Sequence, residues 1–141
     1  MILKGKILFI VILLFNYHHL KFNRIEADRI IGTYWSPDKD GKINIYKKNG
    51  KYYGKSIENK TPYLKDIFNP DPKLRDKFVL GQDVFFDFVF ENEEYVDGKV
   101  YNPLDGKVYN AYMWLEGNNM KLRGFIGFSI FGQTKTFERC P

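Results

Sequence analysis

Residues 122–137 read LRGFIGFSIFGQTKTF, with three glycines (Gly124, Gly127 and Gly132) among four phenylalanines and only Arg123 and Lys135 charged. Three structures are compatible with such a stretch: a phosphate-cradling loop, a membrane-inserting loop, or strand broken by a corner. A phosphate loop needs its glycines to lead into a helix N-terminus, where free amides and the helix dipole hold the anion. Here Ile126, Phe128, Ile130 and Phe131 follow instead, which disfavours helix. A membrane-inserting segment carries basic residues on an amphipathic helix, and one arginine and one lysine are thin provision. Strand glycines mark bulges and bends where a small barrel turns. The stretch reads as a barrel corner, and the fold class follows from it.

The rest of the chain repeats that signature. Runs rich in Val, Ile, Tyr, Phe and Thr are broken every 8–12 residues by turn dipeptides, the mark of a sandwich or barrel. Strands are expected at 29–35, 42–48, 51–58, 84–91, 95–101, 107–116, 120–126 and 133–139. Asn49-Gly50 is the strongest hairpin signal, because both turn positions need positive φ; it sets Tyr46 opposite Tyr53 and Lys48 opposite Lys51. Asp-Gly-Lys recurs at Asp40, Asp97 and Asp105. The first and third read as turns, and Gly98 reads as a bulge inside its strand. Residues 59–80 hold Pro62, Pro70 and Pro72 without alternation, so they form a long connection with one helical turn at 72–76. Loops of this length are usually functional or mobile.

The first residues belong to a different class. Lys4 and Lys6 precede nine apolar residues, Ile7 to Phe15, too few for a bilayer that takes about 20. A positive n-region before a short apolar run is a secretory signal. Residues 1–27 are therefore expected to be removed after Ala27, leaving residues 28–141 as a single exported domain with no stable membrane span. That domain keeps 18 basic and 16 acidic residues, without the basic stripe nucleic-acid binding requires. Both histidines, His18 and His19, leave with the leader, and Cys140 is the only cysteine. Ser-His-Asp and Cys-His sites, internal disulfides and cysteine metal clusters are excluded. Asp38-Lys39-Asp40-Gly41 resembles the start of a calcium loop, but Asn49 stands where its twelfth-position carboxylate belongs. It is a turn. No metal and no cofactor is expected.

Residues 84–90, VFFDFVF, are apolar on both strand faces, as in a strand covered on both sides. Asp87 among them is paired or at a rim. Val84, Phe86, Phe88 and Phe90 are expected to share one face. Aromatic residues number 21 after residue 27, more than a small barrel interior absorbs easily.

Ile31-Gly32-Thr33-Tyr34-Trp35, then Asn69-Pro70-Asp71-Pro72-Lys73-Leu74-Arg75, then Arg123-Gly124-Phe125-Ile126-Gly127-Phe128 ahead of Arg139 together resemble the secreted bacterial domain-of-unknown-function family 2147, related in fold to lipocalins. The resemblance spans about residues 30–139. It implies an all-β, eight-stranded antiparallel up-and-down barrel of the lipocalin or calycin type in the bacterial envelope, with no assigned activity. In lipocalins an arginine from the last strand packs over the indole of a Gly-x-Trp at the closed end. Gly32 and Arg139 match those places; Tyr34 holds the aromatic position, and Trp35 follows one residue later on the opposite face.

An eight-stranded barrel is either filled by side chains or holds one small ligand. The first expectation is a non-enzymatic envelope protein with a cavity for a small apolar or amphipathic molecule, lined by Phe86, Phe88, Tyr112 and Trp114. The second is a filled barrel that meets another envelope protein through its loop or aromatic outer face. The third is a carboxylate-based hydrolase, for which no carboxylate pair is marked in the sequence.

Overall fold

The computed structural model describes residues 2–127 and 132–141. A helix, α1 (Ile2–Asp28), precedes eight strands: β1 (Gly32–Trp35), β2 (Gly41–Lys48), β3 (Lys51–Asn59), β4 (Asp83–Glu91), β5 (Glu94–Asn102), β6 (Lys107–Glu116), β7 (Asn119–Phe125) and β8 (Gln133–Phe137). They form one sheet in sequence order, every neighbouring pair antiparallel. The sheet curls until the bridge between Tyr34 and Arg139 joins its two edges. Trp35 N–H donates to the Glu138 carbonyl and Cys140 N–H to that of Thr33. The result is a nearly closed up-and-down barrel.

The turn chemistry carries the topology. Asn49 and Gly50 take φ of 51° and 77°, and the register they set places Tyr46 against Tyr53 and Lys48 against Lys51. Gly98 lies within β5 beside a register shift, with Asp97 at φ 57°; it is a bulge. Two expected ends differ. Residues 29–31 tie off α1 through Arg29 N–H to Glu26 O and Ile31 N–H to Asp28 O, so β1 begins only at Gly32. The opening stretch is not one strand bent at a corner: β7 stops at Phe125, Gly127 takes φ 74°, and the chain returns as β8. Residues 128–131, part of the glycine-phenylalanine run, lie outside the described residues.

The phase of β4 also differs from simple alternation. Tyr52 pairs with Phe88 and Gly54 with Phe85, so Phe86 and Asp87 together oppose the single Tyr53. This bulge, with Asp87 at φ 62°, turns both Phe85 and Phe88 inward and leaves Phe86 outside the core cluster. Phe86 and Phe88 therefore do not share a face. Asp87 accepts from the Tyr53 hydroxyl at 2.8 Å on the outer surface. Phe88 gains its place because Gly98 opposes it: a Cβ there would sit 2.2 Å from the Phe88 ring.

The core fills one end of the barrel. Ile30, Tyr34, Ile45, Tyr52, Phe88, Tyr95, Met113 and Met120 are at most 1% exposed. The end of α1 plugs this floor. Ala27 is buried, its carbonyl accepts from the Tyr95 hydroxyl at 2.7 Å, and the Asp28 carboxylate accepts from Tyr52 at 2.7 Å and Lys47 at 2.8 Å. The preceding side chains, residues 8–25, are exposed. Among the described residues no helix is long and apolar enough to cross a membrane.

Candidate functional site

The two ends of the barrel are built differently. At the closed end, the Arg139 guanidinium lies over the Tyr34 ring, 4.7 Å from its centroid. It donates to the Ile31 carbonyl at 3.0 Å, the Arg29 carbonyl at 2.6 Å, the Asn118 carbonyl at 3.3 Å and the Tyr34 hydroxyl. Tyr34 in turn donates to the Ile30 carbonyl, and burial pushes its hydroxyl up to about 12 against the pull of Arg139. Gly32 is required beneath this cap, since a Cβ would sit 2.4 Å from an Arg139 nitrogen. Trp35 points the other way, with the Lys42 ammonium 4.2 Å over its ring. Arg139 thus meets the tyrosine and not the tryptophan.

The long connection is a self-tied structure. The Asn69 side chain accepts from Asp71 N–H and donates to the Asp66 carboxylate; Asp71 caps a single 3-10 turn, Pro72–Leu74; Arg75 donates to the Asn69 carbonyl. Pro70 and Pro72 lie within this turn and give up no donor it uses. Asp66, 1% exposed, accepts from the Tyr101 hydroxyl and so docks the connection onto β5. Burial and the Asp66 charge push that hydroxyl up to about 12. The motif residues Asn69, Pro70, Asp71, Pro72 and Arg75 hold the loop's own shape.

Above the filled floor the described residues enclose a hollow. A cavity of about 670 Å³ is lined by Phe85 of β4, Val100 of β5, Tyr109 of β6, Leu122 and Gly124 of β7, and Gln133, Lys135 and Phe137 of β8. Registry explains the set: Phe85 pairs with Val100, Val100 with Tyr109, Gly124 with Gln133, and Leu122 with Lys135. A second hollow of about 440 Å³ shares Tyr101, Asn102 and Phe137 with the first and runs below the long connection, where Leu64 and Val79 line it. The space is small-residue floored at Gly124, apolar on most sides and polar towards Asn102, Gln133 and Lys135.

None of the four residues expected to line a cavity lines this one. Phe88 is buried in the filled half, and Phe86 lies on the outer side of the β4 bulge. Ala111 and Met113 take the inward places on β6, so Tyr112 and Trp114 stack on the outer face with ring centroids 5.5 Å apart. The missed residues had a signal: Gln133, Lys135 and Phe137 alternate on one face of β8, and Phe137 marks it as the inner one.

Two carboxylates, Asp28 and Asp105, have displaced acidity. Each is held below its usual range although burial opposes this, Asp28 by bonds from Lys47 and Tyr52, Asp105 by bonds from Tyr109 and Lys107 N–H. A general acid near neutral pH needs the opposite shift. Among the described residues no cluster of three or more His, Cys, Asp or Glu is placed to hold a metal.

Comparison with known proteins agrees with the geometry. No curated protein matches the chain significantly. A solved structure described as "Protein HP1028 from the human pathogen Helicobacter pylori belongs to the lipocalin family" superimposes with a TM-score of 0.71 at 25% identity, covering 79% of this chain and 83% of that one. The fold is lipocalin-like. Residues 32–139, from the glycine under the closed-end cap to the arginine that forms it, match one family throughout, and the chain belongs to that family, described as "Uncharacterized protein conserved in bacteria (DUF2147)".

Proposed function

We propose that the protein is a non-enzymatic carrier, exported to the bacterial envelope after loss of its leader, that holds a small apolar or amphipathic molecule in the open half of the barrel. The observation that carries this reading is the cavity of about 670 Å³, within the usual range for ligand pockets and lined, as they are, mostly by apolar groups with a few polar ones. Burying ~300 Å² of apolar ligand surface supplies at most about 7 kcal/mol before association costs, so affinities are about micromolar. Loss of His18 and His19 with the leader leaves the exported domain without the side chain most used as a general base near neutral pH, which supports the non-enzymatic reading.

The test uses Gly124. A Cβ there meets only Tyr109, at 3.8 Å, in ordinary contact, so Gly124→Leu projects into the hollow without backbone conflict. Wild-type protein should bind N-phenyl-1-naphthylamine saturably, about one per chain, and Gly124→Leu should weaken this by about tenfold, or 1.4 kcal/mol. Phe88→Leu, in the filled half, should leave binding nearly unchanged. If the folded wild type binds no apolar probe at micromolar concentrations, the cavity reading fails. The outer Tyr112–Trp114 stack, an aromatic platform on the barrel wall, then favours the reading as a protein-interaction module.

A further inference from the structure

We infer that the occupant of the cavity is an anionic amphiphile whose carboxylate or comparable single-charge head pairs with Lys135. This inference rests on the carrier reading above and names the chemistry of its ligand.

Lys135 is the one charged residue among those lining the larger cavity. It stands on β8 two residues before the inward-facing, buried Phe137 and directly opposite the buried Leu122, which places it on the inner face. Its neighbours on the strand serve other cations on the outer face: Thr134 accepts from Arg123 and Thr136 from Lys121. Some lysines of the barrel are matched with acids, Lys42 with Glu58, Lys47 with Asp28, Lys39 with Glu138 and Lys121 with Glu116; of the strand lysines without such a match among the described residues, Lys135 is the one that lines the cavity. Lys135 has no ion pair or hydrogen bond among the described residues.

The cavity supplies no competing anion of its own. The two tyrosines that line it, Tyr101 and Tyr109, donate their hydroxyls away to Asp66 and Asp105, and no carboxylate lines the larger hollow. A lysine with no partner among the described residues, lining a mostly apolar hollow, favours a molecule with a negative head and a hydrocarbon tail. The tail buries area against Phe85, Val100 and Leu122, and each buried methylene contributes about 0.8 kcal/mol. The head gains the Coulomb attraction of a partly solvated pair, and that attraction discriminates between ligands sharing one tail.

Displacement of N-phenyl-1-naphthylamine by dodecanoate and by dodecan-1-ol reads the two contributions apart. Wild-type protein at low salt should prefer dodecanoate by about fivefold, the scale of a solvent-accessible ion pair, and the preference should shrink as salt rises. Lys135→Met should abolish the preference while keeping alcohol and probe binding, and Lys135→Arg should keep it. Equal affinity of the wild type for both displacers overturns the anchor while leaving the carrier reading standing. A preference that survives in Lys135→Met overturns it too. If neither displacer nor probe binds the folded wild type, the carrier reading fails, and the anchor with it.

Discussion

At the scale of single residues, the cap over Tyr34 shows how one side chain closes a barrel. Arg139 lies beyond the last strand, yet its guanidinium reaches the carbonyls of Arg29 and Ile31 and the Tyr34 ring together. Both carbonyls belong to the residues between α1 and β1. A guanidinium over an aromatic face contributes roughly 0.5–2 kcal/mol, and its charged hydrogen bonds add to this. Arg139→Ala should therefore lower the unfolding free energy by about 2 kcal/mol in chemical denaturation. In a double-mutant cycle the loss should couple to Tyr34→Leu by about 1 kcal/mol and to Trp35→Leu not measurably, since such cycles report contact. Coupling to Trp35 alone would reverse the assignment. In the sequence both aromatics were candidates; only the direction of β1's side chains, with Tyr34 fully buried and Trp35 under Lys42, separates them.

Among the elements, β4 and β5 show what alternation does and does not reveal. The eight strands, the Asn49-Gly50 register and the bulge at Gly98 were legible, because turn dipeptides and β-rich runs are local signals. The second bulge, at Phe86 and Asp87, was not. It carries no glycine, and it follows from pairing with β3 and from the need to seat Phe88 over Gly98, which lies on another strand. One extra residue exchanges the faces on either side of it, and so Phe86 fell outside the barrel; Phe88 stayed inside but in the filled half, and Tyr112 and Trp114 fell outside because Ala111 and Met113 hold the inward phase of β6. The linkage between the two bulges has a direct measure. Gly98→Ala places a methyl 2.2 Å from the Phe88 ring and should destabilise the barrel by roughly 1–3 kcal/mol, as overpacking does. In a Phe88→Leu background most of that additional loss should disappear, and equal losses in both backgrounds would show that the two positions do not press on each other.

For the whole molecule, the filled floor and the hollow top divide the labour of the fold. Tyr34, Tyr52, Tyr95 and Phe88 hold one end together, which frees the other end from supplying core. The floor is also where acid should act. Asp28, the residue that follows the expected leader cut, is held to β2 and β3 by Lys47 and Tyr52, and these bonds hold its carboxyl below the usual 3.8. A carboxyl depressed on folding adds stability that is present above its unfolded value and is lost as pH falls through the folded one. Asp28→Asn should therefore be less stable than wild type near neutral pH, and the two denaturation curves should converge as the pH falls below the unfolded value of 3.8 and through the lower folded one. A gap that stays constant over that range would place the carboxylate outside the linkage.

The brevity of β1 matters for time as well as for shape. Its four residues meet the end of the chain only around Arg139, and among the described residues the strand from Gln133 to Phe137 hydrogen-bonds to β7 and to nothing on its other flank. A wall sewn along its full height would admit cargo only through the rim. Among the described residues the flank of β8 that carries Lys135 has no ladder, and on the carrier reading a hydrocarbon chain would enter along it without a described ladder being broken. On that reading, loading and release should follow the spreading of these two edges, a motion less demanding than unfolding.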